Sequence, residues 1–565
     1  MRCIQAIVII VAIVCGATHA LSQTWIKTFG GTAKDVATAV RSSPLGGSVI
    51  VGRYSSIDGT FADLPAQVKG FTDVFVIRLD DQGAIRWKQR LGGKWSEHGY
   101  AVDINAGGEI FVAGISNSPE IAGLCYPKAS DVPFVSKISD DGTVLWTRCF
   151  GGTISEFGGA KDYATSLVTT EDGHVVVVGY ANSRDGDFAG MNHGATDIFA
   201  IKYNANGDQV WKKMYGNMGI DGGPTGSVVT ELHLPLNAKA CRAGDGKIAI
   251  VSALSTDGLN SGTFPTTRTG FPDVLLFVID ASGNMEWYQT LGGFGSDLGF
   301  GVACGRDGSI VVTGGVQSNN LDFANMNKSS HSNFCDVLVA KYDRSGTLLW
   351  KRLFGGSDHE YGAAIALTST DEVIVVGSSS SNDFDFRDND LGKADMFIMG
   401  ISASGKRKWT RRLGGFGNEE LFCIEPTGKD HFLVAGVTES IDGDFEAMPA
   451  SEYEAVVARI DSSGSWSEST TSIHNAEVDM DVDLHISPNP FSSHTDVSIH
   501  IPQPSRLTVK VTDVMGHTLD ILYDGQFDAT RMHLRYDATK YATQVSYLVL
   551  ISNGVSRVVK MVGVR

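Results

Sequence analysis

A chain of 565 residues has room for two to four average domains, or for one long repeat array with an appendage. Its 66 glycines against 15 prolines, with 42% hydrophobic residues, point to many tight turns between short strands and away from a disordered polymer. The formal net charge of -18 argues against a phosphate-tracking nucleic-acid binder and gives no support for docking on an anionic membrane.

Residues 1–20 read as a removable signal peptide. Arg2 supplies the positive start and residues 4–14 the apolar stretch. Thr18-His19-Ala20 presents small residues at the two positions a signal peptidase reads, which puts the cut after Ala20. Cys15 raises a lipoprotein alternative, but Ala12-Ile13-Val14 lacks the small residue wanted just before the cysteine. No later stretch is long and apolar enough for a transmembrane helix. Cleavage leaves Cys125, Cys149, Cys241, Cys304, Cys335 and Cys423, with no CxxC pair to suggest zinc or thioredoxin-like chemistry. An exported protein can form disulfides, and Cys304 with Cys335 and Cys125 with Cys149 are the nearest candidates, against six buried thiols.

From residue 25 onward a pattern recurs. Trp25, Trp87, Trp146, Trp211, Trp287, Trp350, Trp409 and Trp466 are spaced 57 to 76 residues apart. Gly83, Gly142, Gly207, Gly283, Gly346 and Gly405 each lie four residues before a Trp, and Gly-Gly follows, as in Trp350-Lys351-Arg352-Leu353-Phe354-Gly355-Gly356, except that the fourth copy has Gly216-Asn217. Self-similarity at this period implies a stacked or circular repeat architecture. Each repeat reads as four short strands. The first is small and apolar (Tyr163 to Val168), and the second is a β-branched run ending in Gly (Val373-Ile374-Val375-Val376-Gly377). The third alternates after an acidic residue (Asp336 to Tyr342), and the fourth carries the Trp. Asp-x-x-Gly between the third and fourth strands, as from Asp343 to Gly346, suits a type I turn in a tight hairpin. Only the connection from second to third strand is long. Residues 21–466 are therefore expected to form a seven-bladed β-propeller of four-stranded blades. An open β-solenoid is the alternative. The segment Trp25 to Gly31 is a fourth strand with no preceding three, so it is expected to complete the last blade and close the ring.

The Gly-x-x-x-Trp and Gly-Gly pattern, the Ala-rich strand and the Val-Val-Gly run resemble the β-propeller repeats of secreted bacterial surface proteins. The Gly-x-x-x-Trp unit is also similar to the docking motif of propellers in the pyrroloquinoline quinone family. One fold hosts many activities, so this resemblance speaks to architecture.

Two sets of acidic residues stand out in the repeats. Asp73, Asp131, Asp197, Asp273, Asp336, Asp395 and Glu454 open the third strands and could form a ring of carboxylates able to hold cations, or simply accept hydrogen bonds from their own loops. The long connections carry Asp58, Asp185, Asp187, Asp383, Asp385, Asp442 and Asp444, each close to a Phe. Alternating carboxylates suit calcium but fall short of an EF-hand, and a loop pinned by its Phe is the plain alternative. These loops are the candidate binding face, since recognition residues concentrate on loops held by a rigid scaffold. No Gly-x-Ser-x-Gly elbow, His-Glu-x-x-His helix or sialidase-type Asp box appears, so no catalytic, cofactor-binding or metal-binding residue is assigned. The histidines His98, His174, His193, His331, His359 and His431 share no local motif. The fourth repeat departs from the rest through an insertion around residues 218–245, the first place to look for a unique site.

After a Ser/Thr/Asp-rich linker at 467–483 comes Leu484-His485-Ile486-Ser487-Pro488-Asn489-Pro490-Phe491, then Val509 to Gly516, Tyr547-Leu548-Val549-Leu550 and Val558-Val559-Lys560. Residues 484–565 closely resemble the C-terminal sorting domain of the type IX (Por) secretion system. The matching positions are Pro488, Asn489, Pro490, Gly516, Tyr547 and Lys560, and Val545 stands where that family usually has Gly. The resemblance implies a small β-sandwich, engagement of the outer-membrane export machinery, removal of the tail, and a body that is surface-anchored or released. The function expected is a non-enzymatic binding or adhesion module for an extracellular glycan or protein. The alternatives are a quinone-dependent or polysaccharide-acting propeller enzyme and a structural surface-layer component.

Overall fold

The computed structural model describes residues 24–465, apart from parts of the longer connections, and the strands between 483 and 562. The signal-peptide segment and Trp466 lie outside the described residues. The chain divides into two compact units, Met1–Glu468 and Ser469–Arg565.

Among the described residues of the first unit, seven four-stranded antiparallel sheets follow one another, with a two-stranded ribbon at Ile154–Ser155 and Gly158–Gly159. The first comprises Asp35–Ser42, Ser48–Tyr54, Asp73–Leu79 and Ile85–Leu91, paired in chain order. Sheets two to six begin at Glu97, Asp162, Lys239, Asp297 and Glu360 and repeat that order. The seventh has Glu419–Pro426, His431–Thr438 and Glu454–Asp461, and its fourth strand is Trp25–Phe29 from the other end of the chain. Trp25 lies opposite Arg459 and Phe29 opposite Ala455. The orphan strand thus removes the free edge that the seventh sheet would otherwise expose.

Each first strand packs on the first strand of the next sheet, and that of the seventh packs on that of the first. Second and third strands are buried along nearly their whole length, whereas fourth strands are exposed or half-buried over most of theirs. An apolar cluster fills each of the seven boundaries between neighbouring sheets, including the one from seventh to first. This is a β-propeller.

The tryptophans tie adjacent sheets together. Each outer-strand Trp lies against the Gly of the next sheet's hairpin turn: Trp87 against Gly142, Trp350 against Gly405, Trp409 against Gly464. Trp25 lies against Gly83, so the closing strand also docks onto the first sheet. Trp87, Trp146, Trp211 and Trp350 donate their indole N–H to a carbonyl in the same turn at 2.8–3.0 Å. Only glycine suits these turns. At Gly83 φ is +74°, and a Cβ would meet the Trp25 ring at 2.8 Å.

In the second unit, a three-stranded sheet (Asp483–Ser487, His494–His500, Arg531–Asp537) and a four-stranded sheet (Ser505–Thr512, Thr518–Phe527, Val545–Ser552, Val555–Val562) contribute to one apolar cluster. Val497, Ile499 and Tyr536 come from the first sheet, and Val509, Phe527 and Leu550 from the second. Among the described residues, no helix of the chain is long and apolar enough to cross a membrane.

Candidate functional site

The Gly-Gly segment between consecutive sheets is a hub for carboxylates. In the link from fifth to sixth sheet, three successive backbone amides donate to three different side chains. Gly355 donates to Asp385 (3.1 Å), Gly356 to Glu360 (2.7 Å) and Ser357 to Asp383 (2.8 Å). The next link repeats this with Gly414 to Asp444, Gly415 to Glu419 and Phe416 to Asp442. Asp58 accepts from Thr32, Asp185 from Thr153 and Asp187 from Gly151. All seven loop carboxylates singled out in the sequence therefore hold the backbone of their own repeat. The single-turn 3-10 segments that contain or follow them bury Phe61, Phe188, Phe386 and Phe445, and the equivalent segment Leu321–Phe323 buries Phe323. Glycine is required here by contact: a Cβ on Gly355 would lie 2.2 Å from Asp336 Oδ1.

The amide of the second Gly-Gly position reveals acids that sequence reasoning missed. Asp35, Glu97, Asp297, Glu360 and Glu419 open the first strands four residues after that position, and each accepts its N–H. Asp221 does so from Asn217, and Asp162 from Gly152 across a longer link. The signal was present as Gly-Gly-x-x-x-Asp/Glu. It was hidden because these residues begin otherwise apolar strands. All seven are buried, and most also accept N–H or O–H bonds from the end of the second strand, as Asp35 does from Ser55 and Ser56.

The third-strand acids stand beside this set. Asp73, Asp197, Asp273, Asp336, Asp395 and Glu454 occupy one register position, opposite the last residue of the second strand. In the second sheet that position is Val132, opposite Ser116, and Asp131 lies outside the described residues. The expected sevenfold acidic set is thus broken by a one-residue shift. Where two acids meet across a boundary, the pKa of the first-strand acid is raised, chiefly by burial and further by the neighbouring acid. Glu97 is pushed up to about 7, chiefly by desolvation, although Arg90 pairs with neighbouring Asp73 at 2.7 Å. Desolvation, with Asp336 nearby, lifts Glu360 to about 8. Asp297, beside Asp273, rises to about 7 for the same reasons. Among the described residues, no group of three or more His, Cys, Asp and Glu is placed to hold a metal ion.

The distinctive chemistry lies on the axis. The first strands of all seven sheets line a cavity of about 330 Å³. In six of them a β-bulge interrupts the pairing at one equivalent position, and the bulged residue is Thr38, Tyr100, Thr165, Phe300, Ala363 or Phe422; in the fourth sheet the register shifts later, between Arg242 and Gly244. Bulges re-aim side chains, and all six of these residues line the cavity. Just beyond the bulge stand Ala39, Ala101, Ser166, Gly301, Ala364 and Cys423, and the register puts Lys239 at the same level in the fourth sheet. Two residues further on lie Arg41, Asp103 and Glu425, from three sheets adjacent in the ring. Arg41 pairs with Asp103 at 3.3 Å and with Glu425. Arg242, half exposed, reaches Asp103 at 2.5 Å and the Thr169 carbonyl at 2.6 Å. Burial raises the pKa of Glu425, with Arg41 opposing. None of these charges recurs in other repeats.

Cysteine pairing also concerns the axis. Cys304 bonds Cys241 of the neighbouring first strand rather than Cys335, joining the fourth and fifth sheets where both line the cavity. Cys335 is a free thiol, held up to about 12 by burial. Cys149 is disulfide-bonded, and Cys125 lies outside the described residues. The insertion of the fourth repeat is described only at 218–222 and from 238 onward.

Of the tail positions, Pro488, Asn489, Pro490 and Gly516 lie outside the described residues. Tyr547 and Lys560 are backbone partners in register on adjacent strands, and Tyr547 also pairs with Thr512.

No family model matches the chain. A stretch of 191 residues, 33% of this chain, is 26% identical to the regulatory protein FlaEY of Caulobacter vibrioides and covers 20% of it. The chain thus spans about a fifth of the length of that curated relative. Similar solved structures include the Pan2 WD40 domain of Neurospora crassa, at 9% identity and a TM-score of 0.35, covering 77% of this chain and 96% of that one. Another is the PQQ-bound aldose sugar dehydrogenase of Streptomyces coelicolor, at 10% identity and a TM-score of 0.32, covering 64% and 91%. These are distant likenesses, and the architecture rests on the strand order and ring contacts described above.

Proposed function

We propose that the ring is a seven-bladed propeller acting as an exported, non-enzymatic binding module for an extracellular glycan or protein, with the axial cavity as its recognition site. One observation carries this reading. Polar side chains at the Gly-Gly links recur from sheet to sheet and are consumed by the backbone, whereas Arg41, Asp103, Lys239, Arg242 and Glu425 occur once each and line a cavity. Recognition needs an asymmetric set of groups in a concave site, and a repeated structural lock cannot supply one. This moves the expected binding face from the long loops to the axis.

Export is part of the same proposal. Residues 1–20 act as the signal peptide, 467–483 as a linker and 484–565 as a β-sandwich sorting domain read by type IX secretion machinery, leaving the body secreted or anchored at the outer surface. The Cys241–Cys304 disulfide supports an oxidising destination. Two experiments test the reading. A glycan and protein array probed with the chain lacking residues 1–20 should return a ligand whose binding is lost with Arg242→Ala or Tyr100→Ala. A ligand indifferent to both would remove the axis as the site. Deleting residues 484–565 should leave the body in the periplasm, and normal surface display of the truncated protein would overturn the sorting role.

A further inference from the structure

Lys239 departs most from its repeat. Its six equivalents are Ala, Ala, Ser, Gly, Ala and Cys, so a long cation projects from a level otherwise built of the smallest side chains. Those small residues leave the space that the cavity occupies. The Lys239 ammonium donates to the Thr165 carbonyl at 2.7 Å. Among the described residues it forms no ion pair, because the cavity's two carboxylates, Asp103 and Glu425, are taken by Arg41 and Arg242. Lys239 is half-buried; an ammonium has three donors, and drawing it partly out of water without a counter-charge is costly. Desolvation lowers its pKa to about 8, with Cys423 opposing and Arg41 adding to the fall. An anion entering the cavity would supply what the fold withholds.

The rest of the lining narrows the class of anion. Tyr100 and Phe422, both at bulge positions and both partly exposed, line the cavity, and the Tyr100 ring stacks on Tyr163 on one side. Aromatic rings present large apolar faces, and the hydroxyl of Tyr100, 3.0 Å from His98 Nδ1, adds a polar edge. The volume of about 330 Å³ is near the lower end of ligand pockets and suits one ring rather than a chain segment. We propose that the axial cavity binds an acidic sugar unit, with the sugar carboxylate on Lys239 and its ring against Tyr100 and Phe422. This deepens the binding-module reading and rests on it.

The test is calorimetric titration of the chain lacking residues 1–20 with D-glucuronate, D-glucose and acetate. Glucuronate should bind saturably at pH 6.5, at least about tenfold tighter than glucose or acetate. Lys239→Met should weaken it about tenfold or more while glucose stays unchanged. Affinity should also fall between pH 7 and 9.5 as Lys239 loses its proton, an arm that needs no variant. The groups facing Lys239 are Arg41 and Cys423, with Asp103, Glu425, Arg242 and Tyr100 also lining the cavity. Arg41 stays charged over that range. Equal binding of glucose and glucuronate, or binding unchanged by Lys239→Met, would overturn the inference. Acetate binding as tightly as glucuronate would overturn the sugar. A neutral glycan lost with Tyr100→Ala but not with Lys239→Met would overturn the acid and leave the binding module standing. Absence of any ligand on the array would remove both.

Discussion

The Gly-Gly links and the axial lining are built from the same repeats by opposite rules. At the links, glycine, carboxylate and Phe recur with small variations, and their polar atoms bond to backbone of the same unit. On the axis, equivalent positions hold Arg, Asp, Val, Cys, Ala and Glu, and the side chains meet across sheets. A group needed in every sheet builds sheets. A group found in one sheet is available for something else. Substitutions should therefore divide into those that cost stability and those that cost binding.

The largest stability effect should come from deleting residues 21–31. This removes Trp25–Phe29, exposes the edge of Glu454–Asp461 and strips Trp25 from Gly83. Losing one buried aromatic alone costs about 3–5 kcal/mol. Thermal denaturation should show a loss beyond that figure, and an unchanged Tm would mean the ring is closed by another segment.

The buried acids at the links give the next effect. Glu360 has a folded pKa of about 8, raised by desolvation above its ordinary 4.5. A carboxyl raised on folding contributes fully below its unfolded pKa, and that contribution is lost as pH climbs through the folded value. Stability should fall between pH 5 and pH 8, by an amount on the order of 2–4 kcal/mol for this group. Denaturant midpoints across that range should show the slope, and Glu360→Gln should flatten it. A protein equally stable at both pH values would mean that Glu360 is ionised in the fold.

Asp385 sharpens the comparison, because its loop was the expected binding face. It accepts from the Gly355 amide at 3.1 Å and pairs with Lys328 and Arg407. Asp385→Ala should cost about 1–2 kcal/mol in urea unfolding and leave the affinity of any array ligand unchanged. The reverse outcome would return function to the loops.

The smallest stability change belongs to Arg242→Ala. The side chain is 52% exposed and its pairing with Asp103 is partly open to solvent. A loss below about 1 kcal/mol is expected, together with loss of ligand binding. A large drop in Tm would place Arg242 with the structural set instead.

Much of the fold was legible because it rests on local rules repeated seven times. Gly at a positive φ in each hairpin turn, β-branched runs in the second strands and the orphan Trp25 strand each announce themselves within a few residues. The second set of buried acids was written in the spacing after Gly-Gly, yet a lone Asp297 at the start of an apolar strand carries no sign that it will be buried beside Asp273. The Cys241–Cys304 bond was misjudged for a related reason. Sequence proximity favoured Cys335, but Cys241 and Cys304 stand on neighbouring first strands at a Cα separation of 6.1 Å. The Val132 shift was invisible because Asp131 mimics the pattern one residue early.

By itself the sequence determined the strand pattern, the turns and the closing segment, since these depend on contacts between residues close in the chain or repeated at a fixed period. Only the tertiary structure decided which side chains meet on the axis. Arg41 and Glu425 lie at opposite ends of the ring sequence, and Lys239 stands among six small residues drawn from six other sheets. Closing a ring brings together residues hundreds of positions apart, and no local spacing encodes which of them will share the space at its centre.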